Sequence, residues 1–279
     1  MSPEIAALLG LVQGVFMFVP VSSSSHLALT QHWLQSRGVE VPDPDSSEAI
    51  LVNLVLHVGT LVSIAVVLRH RLVEIGRQAV SEHRDPATRA GRGPAQRFLL
   101  MIVLGTAVTG VVGLAVREVA PAVFGSPSVI VGMLVLTGVV LWWSDRAAAG
   151  TIEVPGSREA VGVGLAQALA LLPGLSRSGL TIAAGLALGM KRKQAAEFSF
   201  ILAIPTILAA TLIQALDVLA TGEVTQVPWW SLGVGVVVSA VSGTVALVLV
   251  LRLLYAARFR VFAVYVWLLA VVVLLVEQG

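Results

Sequence analysis

Pro20-Val21-Ser22-Ser23-Ser24-Ser25-His26 and Pro173-Gly174-Leu175-Ser176-Arg177-Ser178-Gly179 are two short breaks in otherwise apolar sequence. Each has a proline followed by a serine-rich turn, and each is flanked on both sides by helix-like apolar residues. Proline lacks the backbone donor a helix needs and disfavours helix in the residue before it. Each break carries an ionisable residue, His26 or Arg177, at a depth where a membrane makes charge costly. We read the two as halves of one polar site inside a membrane protein.

The composition around the breaks supports that setting. The 279 residues are 57% hydrophobic and only 12% charged, with a mean hydropathy of +0.91. Soluble domains are about 25% charged. Apolar runs of roughly 20 residues recur along the chain, as in polytopic helical membrane proteins. A β-barrel would instead show short alternating segments. There is no cysteine, which excludes disulfides and thiolate metal sites. The first ten residues lack the basic region of a cleavable signal peptide.

Outward from the first break, residues 5–19 and 27–34 are two arms too short to span, so residues 5–34 are expected to form a re-entrant hairpin. A polar stretch with Glu40, Asp43 and Asp45 follows. Full spans are expected at 48–68, 98–116 and 128–143, with residues 69–97 between the first two read as a hydrophilic loop. A short loop containing Pro121, Gly125 and Pro127 joins the second and third spans, and the third ends in interfacial Trp142 and Trp143. The second break lies in a matching hairpin over 160–190. Three more spans follow, at 195–216, 231–251 and 261–276.

Charge placement orients these segments. If 69–97, 144–159, 191–193 and 252–260 are cytoplasmic, they hold fifteen of the eighteen Lys and Arg residues, as the positive-inside rule requires. That works only if each hairpin enters and leaves on one side. The expected fold is therefore an all-α polytopic membrane protein with six full spans and two hairpins. It forms one integral membrane domain of two inverted-topology repeats, residues 1–150 and 151–279, with the broken helices meeting near the midplane. Direct identity between the halves is little more than Pro-x-x-Ser-x-Ser.

A helix that restarts inside a membrane presents free N–H groups and a positive dipole end, both favouring anions. Serines can cap those groups or donate to an oxyanion. Gly174 and Gly179 permit close backbone approach. Arg177 adds a forked donor suited to phosphate oxygens. His26 lies three residues after Ser23, on the same helical face, which makes a hydroxyl–imidazole pair for covalent catalysis. These parts describe a site for the phosphate or diphosphate end of a lipid. Blander readings compete. Ser and Gly also pack membrane helices, His26 and His57 suit packed polar roles, Glu48 and Glu197 read as acids at helix starts, and the basic loop 69–97 reads as a topology signal.

The motif Gln13-Gly14-Val15-Phe16-Met17-Phe18-Val19-Pro20-Val21-Ser22-Ser23-Ser24-Ser25-His26-Leu27, with the second break, resembles the undecaprenyl-pyrophosphate phosphatases of bacterial membranes, the bacitracin-resistance type. Leu56-His57-Val58-Gly59-Thr60 and Glu197-Phe198-Ser199-Phe200 extend the resemblance across the chain. It implies a multi-pass protein of the bacterial inner (plasma) membrane that hydrolyses a C55 polyprenyl diphosphate to the carrier lipid of cell-wall synthesis. It implies Ser23 as nucleophile, His26 as acid or base and Arg177 as diphosphate holder. Gln13, Ser22, Ser24, Gly174, Ser176, Ser178 and Gly179 would bind substrate. It implies Mg²⁺ or Ca²⁺ as cofactor, bound through a glutamate. Met17 stands at that glutamate's position, and a thioether is a poor ligand for a hard cation, so no metal ligand is assigned. Phe16 and Ser25 likewise replace residues typically Thr and Gly. The expected partners are the polyprenyl diphosphate and the bilayer, with a homodimer left open and no nucleic acid.

Loss of the carboxylate with retention of Arg177 and the serines suits a second reading, a polyprenyl-phosphate transporter or binding protein, since transporters also use inverted repeats with broken helices. A small-anion transporter would leave the specific motifs unexplained.

Overall fold

The structure, a computed structural model, describes residues 1–42, 46–85, 88, 93–124, 127–147, 150–221 and 228–278. Asp43, Asp45, Arg89, Arg92, Gly125 and part of the 217–230 connection lie outside the described residues. The described part is all-helical, with eleven helices: α1 (Pro3–Phe18), α2 (Ser23–Ser36), α3 (Ser47–Val67), α4 (Arg69–Arg84), α5 (Pro94–Phe124), α6 (Pro127–Ser144), α7 (Ser157–Leu169), α8 (Arg177–Ala187), α9 (Arg192–Thr221), α10 (Trp229–Tyr255) and α11 (Arg260–Gln278).

Local chemistry sets the helix ends. Ser2 caps α1 by accepting from Ile5 N, and Pro3 occupies the first turn, where its missing donor costs nothing. The helix ends at Phe18, two residues before Pro20. Ser46 caps α3 by accepting from Ala49 N. Glu159 reaches back to Gly156 N at 2.7 Å and closes the start of α7. After α8, Gly189 turns the chain at φ +91°. Met190 then pairs with Ile152 in an isolated parallel bridge.

Four of the six expected spans are long and apolar enough to cross a membrane: Glu48–Val67, Pro94–Val116, Arg192–Leu216 and Trp229–Tyr255. Those expected at 128–143 and 261–276 are the shorter apolar helices Ser128–Ser144 and Arg260–Leu275. Val111 (73% exposed), Val245 (66%) and Leu268 (62%) keep the outer faces of their helices apolar. That pattern suits contact with hydrocarbon.

Three expectations need correction. Residues 69–84 are not loop: they form α4, which the density of arginines hides from a hydropathy reading, and Ile75 and Leu72 anchor it to the core. The turn containing Pro121 is helical, because α5 continues to Phe124. Beyond Ser22, the serines after Pro20 are not a turn either. Ser23, Ser24 and Ser25 are the first turn of α2, and serine is at home at a helix start.

The interior joins the two halves of the chain. The most extensive helix contact is α1 against α10, followed by α3 against α10 and α6 against α11. At Gly14 a side chain could not fit, because a Cβ there would lie 2.5 Å from Ser239 O on α10. Small residues let backbones approach in this way where no hydrophobic force drives helices together. Buried hydroxyls turn to backbone carbonyls: Ser63 donates to Ala240 O at 2.9 Å and Thr109 to Gly164 O at 3.1 Å. Phe18 and Phe200, ring centroids 5.9 Å apart, centre the core.

Candidate functional site

The two breaks meet. Ser178, in the first turn of α8, donates to Phe18 O at the end of α1 at 3.2 Å. Arg177 places Nη2 3.5 Å from Met17 Sδ. A Cβ on Gly179 would lie 3.3 Å from Pro20. The start of α8 therefore lies against the end of α1 and Pro20, with the Arg177 guanidinium beside Met17.

α6 holds the second break in shape. Thr137 Oγ1 donates to Gly174 O at 3.0 Å and accepts from Ser176 N at 3.2 Å. Gly174 has φ +86°, a conformation only glycine takes easily, and a Cβ there would lie 2.7 Å from Ile130 O. Ser176 caps α8 by accepting from Gly179 N at 3.2 Å.

The first break stores strain. Ser22 has φ +69°, unusual for a residue with a side chain, at a cost of roughly 1–3 kcal/mol. Two contacts hold it: Ser22 Oγ lies 3.0 Å from Ser25 Oγ, and Ser22 O lies 2.7 Å from His26 Nδ1. A carbonyl can only accept, so Nδ1 carries the proton and Nε2 a lone pair. Nε2 accepts from Tyr265 OH of α11 at 2.8 Å. The buried ring is stacked on Phe16, centroids 3.8 Å apart.

Beside Met17 lies a second imidazole. His57 Nδ1 donates to Asn53 O at 2.7 Å, so its Nε2 accepts from Gln13 Nε2 at 3.2 Å. Gln13 Nε2 is also 3.8 Å from Met17 Sδ. Gln13, Met17, His57 and Arg177 thus form one cluster on α1, α3 and α8.

The residues singled out in the sequence are distributed as follows. Gln13 and Arg177 lie in the cluster with Met17 and His57, while His26 lies in the first break between Phe16 and Tyr265. Ser22, Ser176 and Ser178 are buried and occupied by the contacts above, and Gly174 and Gly179 serve close packing. Ser24 is exposed. Ser23 is half-buried at the first residue of α2, and among the described residues its hydroxyl has no hydrogen-bond partner. The Ser23–His26 pair expected from spacing is not hydrogen-bonded, because both ring nitrogens are taken by Ser22 O and Tyr265. Tyr265 and Thr137 escaped the sequence reading of the site, and Phe16, noted there as a substitution, proves to be the ring on which His26 stacks. Nothing local marks Tyr265, one aromatic in a late apolar helix, while Thr137 is a polar residue within an apolar run. Glu197 is beyond the first turn of α9 and does not serve as a cap. It pairs with Arg71 Nε at 2.9 Å, a close ion pair with poor N–H alignment, and with Lys193 Nζ at 3.8 Å.

The donors that meet at Arg177 are a thioether, a carboxamide and an imidazole whose Nε2 is engaged. Mg²⁺ and Ca²⁺ take oxygen ligands, and a guanidinium repels them. This donor set does not suit a hard divalent cation.

The model of the bacitracin resistance protein BacA family matches residues 6–272. The chain belongs to this family. Among its curated relatives, the undecaprenyl-diphosphatase of Alkalilimnicola ehrlichii is 49% identical over 271 residues, covering 95% of this chain and 93% of that protein. The undecaprenyl-diphosphatase of Halorhodospira halophila is 47% identical, covering 97% and 96%. That of Desulfosudis oleivorans is 36% identical, covering 98% of each. The similarity of this BacA-family chain to them extends over nearly its whole length.

Proposed function

We propose that this chain is a membrane phosphatase that hydrolyses the terminal phosphate of undecaprenyl diphosphate, giving undecaprenyl phosphate and inorganic phosphate. The observation that carries the reading is Arg177 at the start of α8, set against the end of α1 where the two breaks meet, in a chain whose relatives are named undecaprenyl-diphosphatases. A helix N-terminus and a guanidinium together favour an anion with several oxygens. The names of the relatives give no support to a binding protein without turnover.

In this mechanism Ser23 Oγ attacks the terminal phosphorus, and undecaprenyl phosphate leaves. Water then attacks the phosphoserine, restoring Ser23 and releasing inorganic phosphate. Arg177 holds the diphosphate and neutralises the charge that develops on its oxygens. The Ser23 proton passes to His26 Nε2, the nitrogen that already carries a lone pair. Tyr265 must release that lone pair first, so Tyr265 orients the ring in the resting site. Gln13 and Ser24 orient the phosphate, while Ser22, Ser176 and Ser178 hold the shape of the two breaks. No step is assigned to Mg²⁺ or Ca²⁺.

The protein works in the bacterial cell membrane as a multi-pass domain of two inverted repeats, with its basic segments on the cytoplasmic side. Helix pairing supports the repeats. The first hairpin arm, α1, packs on α10, the second span of the other half, and the arm α7 packs on α5 in the same relation. The first spans α3 and α9 pack on each other, as do the third helices α6 and α11. That is the pairing a two-fold axis in the membrane plane produces.

The test is phosphate release from C55 diphosphate by the purified protein in detergent, alongside Ser23→Ala. Release by the wild type and its loss in a folded Ser23→Ala variant are expected. A folded wild type that binds the lipid but releases no phosphate would overturn the reading.

A further inference from the structure

The helix α4 is fastened at both ends to helices long and apolar enough to cross a membrane. It starts one residue after α3, a span, ends at Val67. Near its other end, Glu82 accepts from Ala95 N at 3.1 Å and Gln96 N at 2.9 Å, capping α5, the next span. Sixteen residues at about 1.5 Å each give α4 a length of roughly 24 Å. An element tied between the neighbouring ends of two successive spans lies in the headgroup layer.

Its two faces differ in kind. Leu72, Ile75 and Ala79 face the bundle, with Glu82 capping α5 and Arg71 reaching Glu197. At about 100° per residue, the opposite face carries Val73, Val80, Arg69, Arg77 and Arg84. Val73 is 49% exposed and Val80 52%. The acids of α4 are engaged elsewhere: Glu74 pairs with Arg71 and Glu82 caps α5. Among the described residues no carboxylate pairs with Arg69, Arg77 or Arg84.

We infer that this outer face of α4 is a docking surface for anionic lipid headgroups. The valines enter the boundary between headgroups and acyl chains, and the three arginines take phosphate oxygens while their stems lie along the apolar layer. A face turned only to water would gain nothing from two valines among unpaired cations. Charge selects the occupant: each basic residue near an anionic surface is worth on the order of five-fold in affinity, so the three together are worth on the order of 100-fold. The inference needs the membrane placement and is independent of the proposed phosphatase activity.

The chain has no cysteine, so Val80→Cys in the full-length protein takes a single environment-sensitive dye. The protein is reconstituted in vesicles of neutral phosphatidylcholine, or with about 30% phosphatidylglycerol. Quenching by a headgroup-level spin-labelled lipid is read in both. The expected result is emission shifted to the blue and quenched at least about two-fold more in the anionic vesicles. The difference should vanish in Arg69→Gln/Arg77→Gln/Arg84→Gln. It should also vanish for the unaltered arginines in about 1 M salt, where screening falls to about 3 Å. The salt arm keeps the test decisive if the triple variant fails to fold. A dye quenched equally in both vesicles, or quenched only by aqueous iodide, overturns the inference.

Discussion

Replacing Met17 by glutamate tests the site most sharply. Met17 Sδ is 3.5 Å from Arg177 Nη2 and 3.8 Å from Gln13 Nε2, in a residue only 6% exposed. A glutamate carboxylate would lie within reach of the same guanidinium. Attraction between unit charges about 4 Å apart is roughly 4 kcal/mol at an effective dielectric near 20. Burying the carboxylate costs several kcal/mol in return. The two nearly cancel, so stability should change by no more than about 2 kcal/mol either way. The kinetic effect should be larger, because a carboxylate accepts a proton and a thioether does not. A well-positioned general base contributes on the order of 10² to 10⁴ in rate. We therefore expect Met17→Glu to raise phosphate release from C55 diphosphate at least about ten-fold, while Met17→Gln, of similar shape and uncharged, gives no gain. The assay is phosphate release at saturating lipid, with melting followed on the same preparations. A folded Met17→Glu variant whose turnover is unchanged or lower would refute the reasoning and leave the proton chemistry to His26 alone.

Tyr265→Phe removes the donor to His26 Nε2 and leaves a buried lone pair unmet, at about 1–3 kcal/mol. Melting should drop by several degrees while phosphate release persists, whereas His26→Ala should lose it. Equal loss in both would assign the proton transfer to Tyr265. Gly14→Val would press a side chain into Ser239 O across the α1–α10 seam. Overpacking of this kind costs about 1–3 kcal/mol or more, measurable as a lower melting temperature or as loss of folded protein in detergent. A normal melt would mean that the seam yields easily. Arg177→Lys keeps the charge but loses the fork, so KM for the diphosphate should rise, and an unchanged KM would remove Arg177 from substrate binding.

Much of the molecule was legible because membranes restrict what a chain can do. Long apolar runs must be helices, since backbone groups find no water there. The prolines at 20 and 173 marked where helices stop, and the rare ionisable groups His26 and Arg177 marked the two breaks. α4 was misread because its arginines outweigh its apolar face in any running average, although the period of Leu72, Ile75 and Ala79 was there to find. The serines after Pro20 looked like a turn because their composition fits a turn and a helix start equally. Glu197 read as a cap because proximity to a helix start is all that sequence shows, while its partner Arg71 is over a hundred positions away.

Sequence alone determined the class of the fold and the positions of the breaks, because each rests on local chemistry: hydropathy, and proline in an apolar run. The tertiary structure decided which groups meet. It set Met17 against Arg177, joined Gln13 to His57 from another helix, and turned His26 toward Tyr265 instead of Ser23. Those partners are separated by up to 239 positions. A hydrogen bond depends on positions a few ångströms apart in space, which only the packing of all the helices establishes.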